Sequence, residues 1–140
     1  VAPSTPQAAV VQYLGPPTAR YPAAGDAGER LQYTYQPAGQ RVFNIDLDAQ
    51  GRVARVEQAL SESLFAQRIQ PNVWTRADVL REYGPPARTM GVHNFDGTIW
   101  IWRYADGPTW RLLFIDIDRA GVVRGWSNGD EDLPDPPDVR

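Results

Sequence analysis

One pattern occurs twice in this 140-residue chain, and it constrains the fold more than any other feature. In each copy, apolar residues at helical spacing end in Gly-Pro-Pro, at residues 15–17 and again at residues 84–86. Two alternating strands joined by a loop, an Asp-x-Asp segment and a glycine turn then follow. The helix stops are 69 residues apart, and beyond the loop an offset of 70 carries Ile45 onto Ile115. Because helix stops, strand phases and turns match together, we predict two tandem units.

Each unit is predicted to be a helical segment followed by an antiparallel meander, so the fold class is α+β, with short helices packed on a small sheet. The first unit covers residues 1–58 and the second residues 59–128. In the first, the N-terminal helix is expected to be truncated or absent, since the counterpart of Ile69-Gln70-Pro71 would precede or straddle Val1. Residues 129–140 form an acidic, Pro-rich tail that we expect to be disordered.

Composition narrows the functional classes. The net charge of −3 and the lack of a basic face argue against nucleic acid as a partner. No apolar run approaches the ~18 residues that a membrane-spanning helix requires. The chain has no cysteine and a single histidine, His93, so thiol catalysis, a His/Cys metal site and a paired catalytic base have no support. We therefore expect a non-enzymatic protein without catalytic residues, cofactor or metal.

One segment superficially resembles a calcium loop. Asp46, Asp48 and Gly51 are followed by Glu57 at the twelfth position. The preceding residues alternate as a strand, the fifth position is Gln50, and the second copy lacks ligands at the matching positions. Outward-facing strand carboxylates and a turn-capping Asp are the better interpretation.

On one face of the aromatic strand, the second copy has apolar or aromatic residues at the same positions as the first copy. We expect this face to be core in both. Its residues are Trp100, Trp102 and Tyr104 in the second copy and Leu31, Tyr33 and Tyr35 in the first.

The opposite face of the second copy carries an apolar excess that burial of one face does not explain. This face either packs against the first unit or forms an exposed partner-binding patch, and the sequence leaves both open. The candidate protein-binding residues are Ile101, Arg103, Phe114 and Trp126.

The chain also resembles a known family in both copies, over nearly its whole length. The run from Ile69 through Pro71, Trp74 and Thr75 to Gly84-Pro85-Pro86, followed by the aromatic strand, is similar to the opening of the BamE (SmpA/OmlA) type of outer-membrane lipoprotein domain. In shape, a tandem pair of such units resembles the β-lactamase inhibitor protein. The chain departs from the family at Asn72, where a glycine is usual.

The resemblance implies a protein-binding or scaffolding module of the cell envelope, with another envelope protein as its partner. It also implies a periplasmic location and contact with the outer membrane only through a lipid anchor upstream of residue 1. Because the chain starts at Val1 rather than Met, we expect an exported precursor. The alternative is a secreted or periplasmic enzyme inhibitor that presents a concave two-sheet surface.

Overall fold

The computed structural model of the chain describes residues 1–22 and 28–131, which form an α+β fold of two four-stranded antiparallel sheets and three helices. None of these helices is long and apolar enough to cross a membrane. The helices are α1 (Gln7–Leu14), α2 (Glu62–Arg68) and α3 (Arg76–Tyr83). The strands are β1 (Ala19–Pro22), β2 (Glu29–Thr34), β3 (Val42–Leu47), β4 (Val53–Gln58), β5 (Arg88–Val92), β6 (Phe95–Asp106), β7 (Thr109–Asp118) and β8 (Val123–Asp130).

Each sheet is an antiparallel meander in chain order, β1-β2-β3-β4 in the first unit and β5-β6-β7-β8 in the second. The α+β class and a meander in each half are thereby confirmed. The predicted boundary of the tail at residue 129 falls inside β8, because Gly129 pairs with Leu112 and Asp130 with Arg111. The rest of the segment that was predicted to be disordered, residues 132–140, lies outside the described ranges.

The two units correspond in their backbone and also in individual hydrogen bonds. Both helix stops are glycines at positive φ, 84° at Gly15 and 72° at Gly84, a conformation that residues with a Cβ rarely adopt. The carbonyl of Gly15 accepts a hydrogen bond from the Tyr33 hydroxyl at 2.9 Å. The carbonyl of Gly84 accepts one from the indole N–H of Trp102 at 3.2 Å. In both units an aromatic side chain of the sheet therefore holds the end of the helix.

The two units also share their N-terminal approach, which corrects one prediction. Ser4 and Asn72 both have a φ of 68°, and their N–H groups donate to the carbonyls of Val53 and Val123, each at 2.7 Å. An offset of 68 therefore makes Val1-Ala2-Pro3 the counterpart of the Ile-Gln-Pro segment that precedes Asn72. That segment was predicted to be missing from the first unit. The sequence comparison missed it because the offset there differs by one residue from that of the helices.

The main core lies between the second sheet and helices α2 and α3. Phe65, Tyr83, Trp102 and Tyr104 are all fully buried there, which confirms Trp102 and Tyr104 as core. Trp100, expected on the same face, is half-buried and packs against this core. A smaller cluster in the first unit consists of Val10, Leu31, Tyr33, Ile45, Leu47 and Val53. Tyr35, which was expected in this core, is instead 54% exposed.

The units are joined where the outer face of the first sheet meets the C-terminal end of α3. The side chain of Gln32 donates to the carbonyls of Leu80 and Arg81 at 3.2 and 3.0 Å. Asn44 donates to the carbonyl of Glu82 at 2.9 Å. The last carbonyls of a helix have no partner within the helix, so the first sheet acts as the C-terminal cap of α3.

Candidate functional site

The predicted protein-binding residues do not form one exposed patch. Ile101 is fully buried and pairs across the sheet with Phe114, which is half-buried. With Ile99, Leu112 and Phe95 they form a small cluster on the outer face of the second sheet. The apolar centre of this face is therefore not open to a partner.

Arg103, on the same face, contacts the first unit. Its backbone N–H donates to the side-chain oxygen of Gln36 at 3.0 Å, and its carbonyl accepts from the Gln36 amide at 2.7 Å. Its guanidinium donates to the carbonyl of Pro37 at 3.3 Å and pairs with Glu131 at 3.0 Å. Of the two alternatives for this face, packing against the first unit is the one that applies at Arg103.

Trp126 was assigned to this outer face, and that assignment is wrong. The register of β7 and β8 shifts between Asp116 and Ile117, so that Arg124 is an extra residue at a β-bulge. A one-residue insertion reverses the faces of the residues beyond it. Trp126 consequently points into the main core, where its ring lies 5.8 Å from that of Phe65.

The carboxylates of the calcium-like segment are held by separate partners. Asp46 pairs with Arg30 at 2.7 Å, and Glu57 pairs with Arg68. Asp48 accepts the N–H groups of residues 50 and 52 at 2.9 and 3.0 Å, as expected for a turn-capping Asp. The segment behaves as two strand carboxylates and a turn.

A chain of charges crosses the junction between the units. Glu82, only 8% exposed, pairs with Arg68 at 2.8 Å and with Arg30 at 3.4 Å. These arginines bind Glu57 and Asp46 in turn. The hydrogen bonds that Arg68 donates to Glu57 and then to Glu82, opposed by burial, raise the pKa of Arg68 above its usual value. This arrangement orients the two units and places no nucleophile beside a base.

The first unit has an apolar cleft of about 170 Å³ that is open to solvent. It is called the open cleft below. It lies on the inner face of the first sheet, beside the end of α1. Tyr35 is 54% exposed there, Val56 41% and Leu14 39%. The residues lining the open cleft are Val1, Leu14, Tyr33, Tyr35, Phe43, Ile45 and Val56.

In the second unit, α2 covers the corresponding place. The Phe65 ring makes edge contacts with Tyr83, Tyr104 and Trp126 at 6.0, 5.2 and 5.8 Å between ring centroids. The repeat counterparts of the seven lining residues are Ile69, Tyr83, Trp102, Tyr104, Leu113, Ile115 and Trp126. Each of these belongs to, or packs against, the main core. The described part of the first unit has no helix in that place, and its apolar face is left open.

A polar contact fixes the start of α2. The carboxylate of Glu62 accepts hydrogen bonds from the Tyr104 hydroxyl and the Arg111 guanidinium, both at 2.5 Å, and from Asn128 at 3.3 Å. The hydrogen bond from Tyr104 is the main cause that lowers the pKa of Glu62, and Arg111 adds to it. The donors at the repeat-related positions of the first unit are Tyr35, Arg41 and Gln58.

Sequence reasoning missed the open cleft because it assigned Tyr35 to the core by analogy with Tyr104. The signal was present, however. The N-terminal helix of the first unit was expected to be truncated or absent, and a sheet face without its helix must be exposed or covered by something else.

Comparisons with known proteins give little further information. No protein-family model and no curated protein matches the chain. Among solved structures, a DUF4309 family protein (YjgB) from Bacillus subtilis is similar over 90% of this chain and 78% of its own, with 15% identity and a TM-score of 0.36.

Proposed function

We propose that this chain is a non-enzymatic protein-binding module that acts through the open cleft of its first unit. One observation carries the proposal: Tyr35, Val56 and Leu14 are exposed on a face whose counterpart in the second unit is buried under a helix. A concave apolar surface with aromatic side chains and nearby polar groups is typical of protein-binding sites.

A cell-envelope location and a tandem BamE-like architecture are part of this proposal. Their support is the sequence resemblance described above, together with the helix-then-meander order of the second unit. The partner would then be another envelope protein. If the partner proves to be an enzyme that loses activity on binding, the inhibitor hypothesis replaces scaffolding.

Photo-crosslinking in cells tests the proposal. A photoreactive phenylalanine analogue is introduced into the full chain at Val56, in the open cleft, or at Val73, which is 66% exposed in the segment between α2 and α3. We expect a discrete protein adduct from position 56 and none from position 73, and we expect it in the envelope fraction.

The outcome that contradicts binding through the open cleft is the absence of an adduct at position 56, or the same adduct from both positions. A position-56 adduct confined to the cytosol would reject the envelope location and leave the binding site intact.

A further inference from the structure

We propose that the open cleft binds a short amphipathic helix of another polypeptide, with a carboxylate in its first turn and an aromatic side chain three residues later. This proposal rests on the function proposed above and names the chemistry of the partner. The model for that partner is α2, in which Glu62 and Phe65 have this spacing. Residues three apart lie on the same face of a helix, so both can reach one surface.

The apolar half of the site is preserved between the units. Ile45 is the counterpart of Ile115 and has the same side chain, and Tyr33 replaces Trp102, an aromatic residue bonded to the same helix stop. The open cleft has a volume of about 170 Å³. Apolar protein cavities of roughly 150 Å³ bind a benzene ring. One phenyl side chain inserted as Phe65 is in the second unit would therefore fill it.

The polar half is preserved as well. Tyr35 and Arg41 are identical in type to Tyr104 and Arg111, the two groups that bind the carboxylate of Glu62. Arg41 is exposed and has no side-chain hydrogen bond or ion pair within residues 1–22 and 28–131. In the second unit such a phenol and guanidinium together hold the Glu62 carboxylate, and hydrogen bonds to a charged group are stronger than those between neutral groups.

The third donor differs between the units. The Gln58 amide is bonded to the backbone of Leu60, accepting from its N–H at 2.8 Å and donating to its carbonyl at 2.9 Å. In the second unit, Asn128 reaches Glu62. By repeat correspondence, two donors, Tyr35 and Arg41, remain for a carboxylate in place of three, which suits a partner that binds reversibly.

The first test uses the peptide of residues 59–70, which contains the α2 sequence, titrated into the isotope-labelled full chain and followed by NMR. We expect saturable shifts at Tyr35, Phe43 and Val56. A peptide with the change corresponding to Phe65→Asp should give none of these shifts. An Arg41→Glu variant of the chain should bind the original peptide about tenfold more weakly.

The second test fuses the helix sequence to the chain, because a free peptide of two helical turns is expected to bind weakly. Because Val1 is the counterpart of Ile69, the sequence of residues 60–68 is fused directly before Val1. We expect the fusion to raise the folding equilibrium constant about tenfold over a fusion with the Phe65→Asp change. A dimeric product with the same stabilisation also supports the proposal, because the helix then occupies a second copy.

Equal stability of the two fusions, together with peptide shifts that are absent or scattered over the surface, overturns the helix proposal. A position-56 crosslink to a partner without such a helix would also overturn the helix proposal. It would leave the proposed binding function in place. The absence of that crosslink, with a working fusion, would instead reject the function and keep the helix-binding chemistry.

Discussion

The two units have the same backbone plan but differ in what covers each sheet. On the inner face, the second unit has α2 and α3, whereas the described part of the first has α1 alone. Tyr104 is accordingly fully buried, and its counterpart Tyr35 is 54% exposed. On the outer face, the first sheet carries Gln32 and Asn44, which cap α3. The second sheet has Ile101 and Phe114 at those positions.

The sheet and its turns are therefore the part that the two units have in common, whereas the helices on each sheet differ between them. The C-terminal end of α3, a helix of the second unit, is hydrogen-bonded to the outer face of the first sheet. In the described part of the first unit no helix covers the inner face beside Tyr35, where we propose that a partner helix binds. Three predictions test the comparison, from the largest expected effect to the smallest.

Phe65→Ala should convert the second unit into the open state of the first. Removing a fully buried phenylalanine side chain costs about 3–5 kcal/mol of unfolding free energy, because both its transfer energy and its ring contacts are lost. Urea denaturation measures the loss, and the Trp126 fluorescence should shift as that ring meets water. Gln67→Ala, at an exposed position of the same helix, is the control and should change stability by no more than about 0.5 kcal/mol. A loss below about 1 kcal/mol for Phe65→Ala would mean that α2 does not complete the second unit.

Gly28→Ala and Gly97→Ala should destabilise the chain by similar amounts. An added Cβ would lie 2.1 Å from the carbonyl oxygen of Asp48 at the first position and 2.2 Å from that of Ile117 at the second. Forcing atoms into so close a contact costs on the order of 1–3 kcal/mol. Thermal or urea unfolding of both variants gives the comparison.

Gly91→Ala is the matched control for this pair, because its added Cβ would meet nothing within 4 Å. If one glycine variant matched this control while the other was strongly destabilised, the structural equivalence of the units at Gly28 and Gly97 would be rejected.

Glu62→Gln should reduce the sensitivity of the chain to acid. The hydrogen bond from Tyr104, assisted by Arg111, holds the pKa of Glu62 below its usual value. Its carboxylate therefore stabilises the fold above the unfolded pKa, roughly 4.3, and this contribution is lost as the pH falls through the folded pKa. We expect the variant to be less stable at pH 7 and to lose less stability between about pH 5 and pH 3.

Urea midpoints measured across that pH range provide the check, with Tyr104→Phe as a companion that removes the hydroxyl and keeps the ring. Parallel pH profiles for the wild type and Glu62→Gln would show that this carboxylate does not fix the start of α2. The two units would then not differ in stability through the contact that Glu62 makes in the second unit.

Much of the skeleton could be predicted from the sequence. The alternation around Leu31 and Trp102, the Gly-Pro-Pro stops and the Asp48 turn all depend on local preferences of a few neighbouring residues. The structure has them where the sequence predicted them. The candidate site could not be found in this way. Tyr35 was expected in the core because a repeated sequence was assumed to bury the same face in both copies, which holds for Tyr104 and fails for Tyr35.

The sequence by itself therefore determined a repeated helix-and-meander plan, because period, turns and helix stops are encoded locally. Three features were decided only by the tertiary structure: the bulge that turns Trp126 into the core, the docking of α3 on the polar face of the first sheet, and the open cleft. Each depends on which surfaces meet across long stretches of chain, and the free energy of burial that decides such contacts is a property of the packed surfaces and not of any short segment.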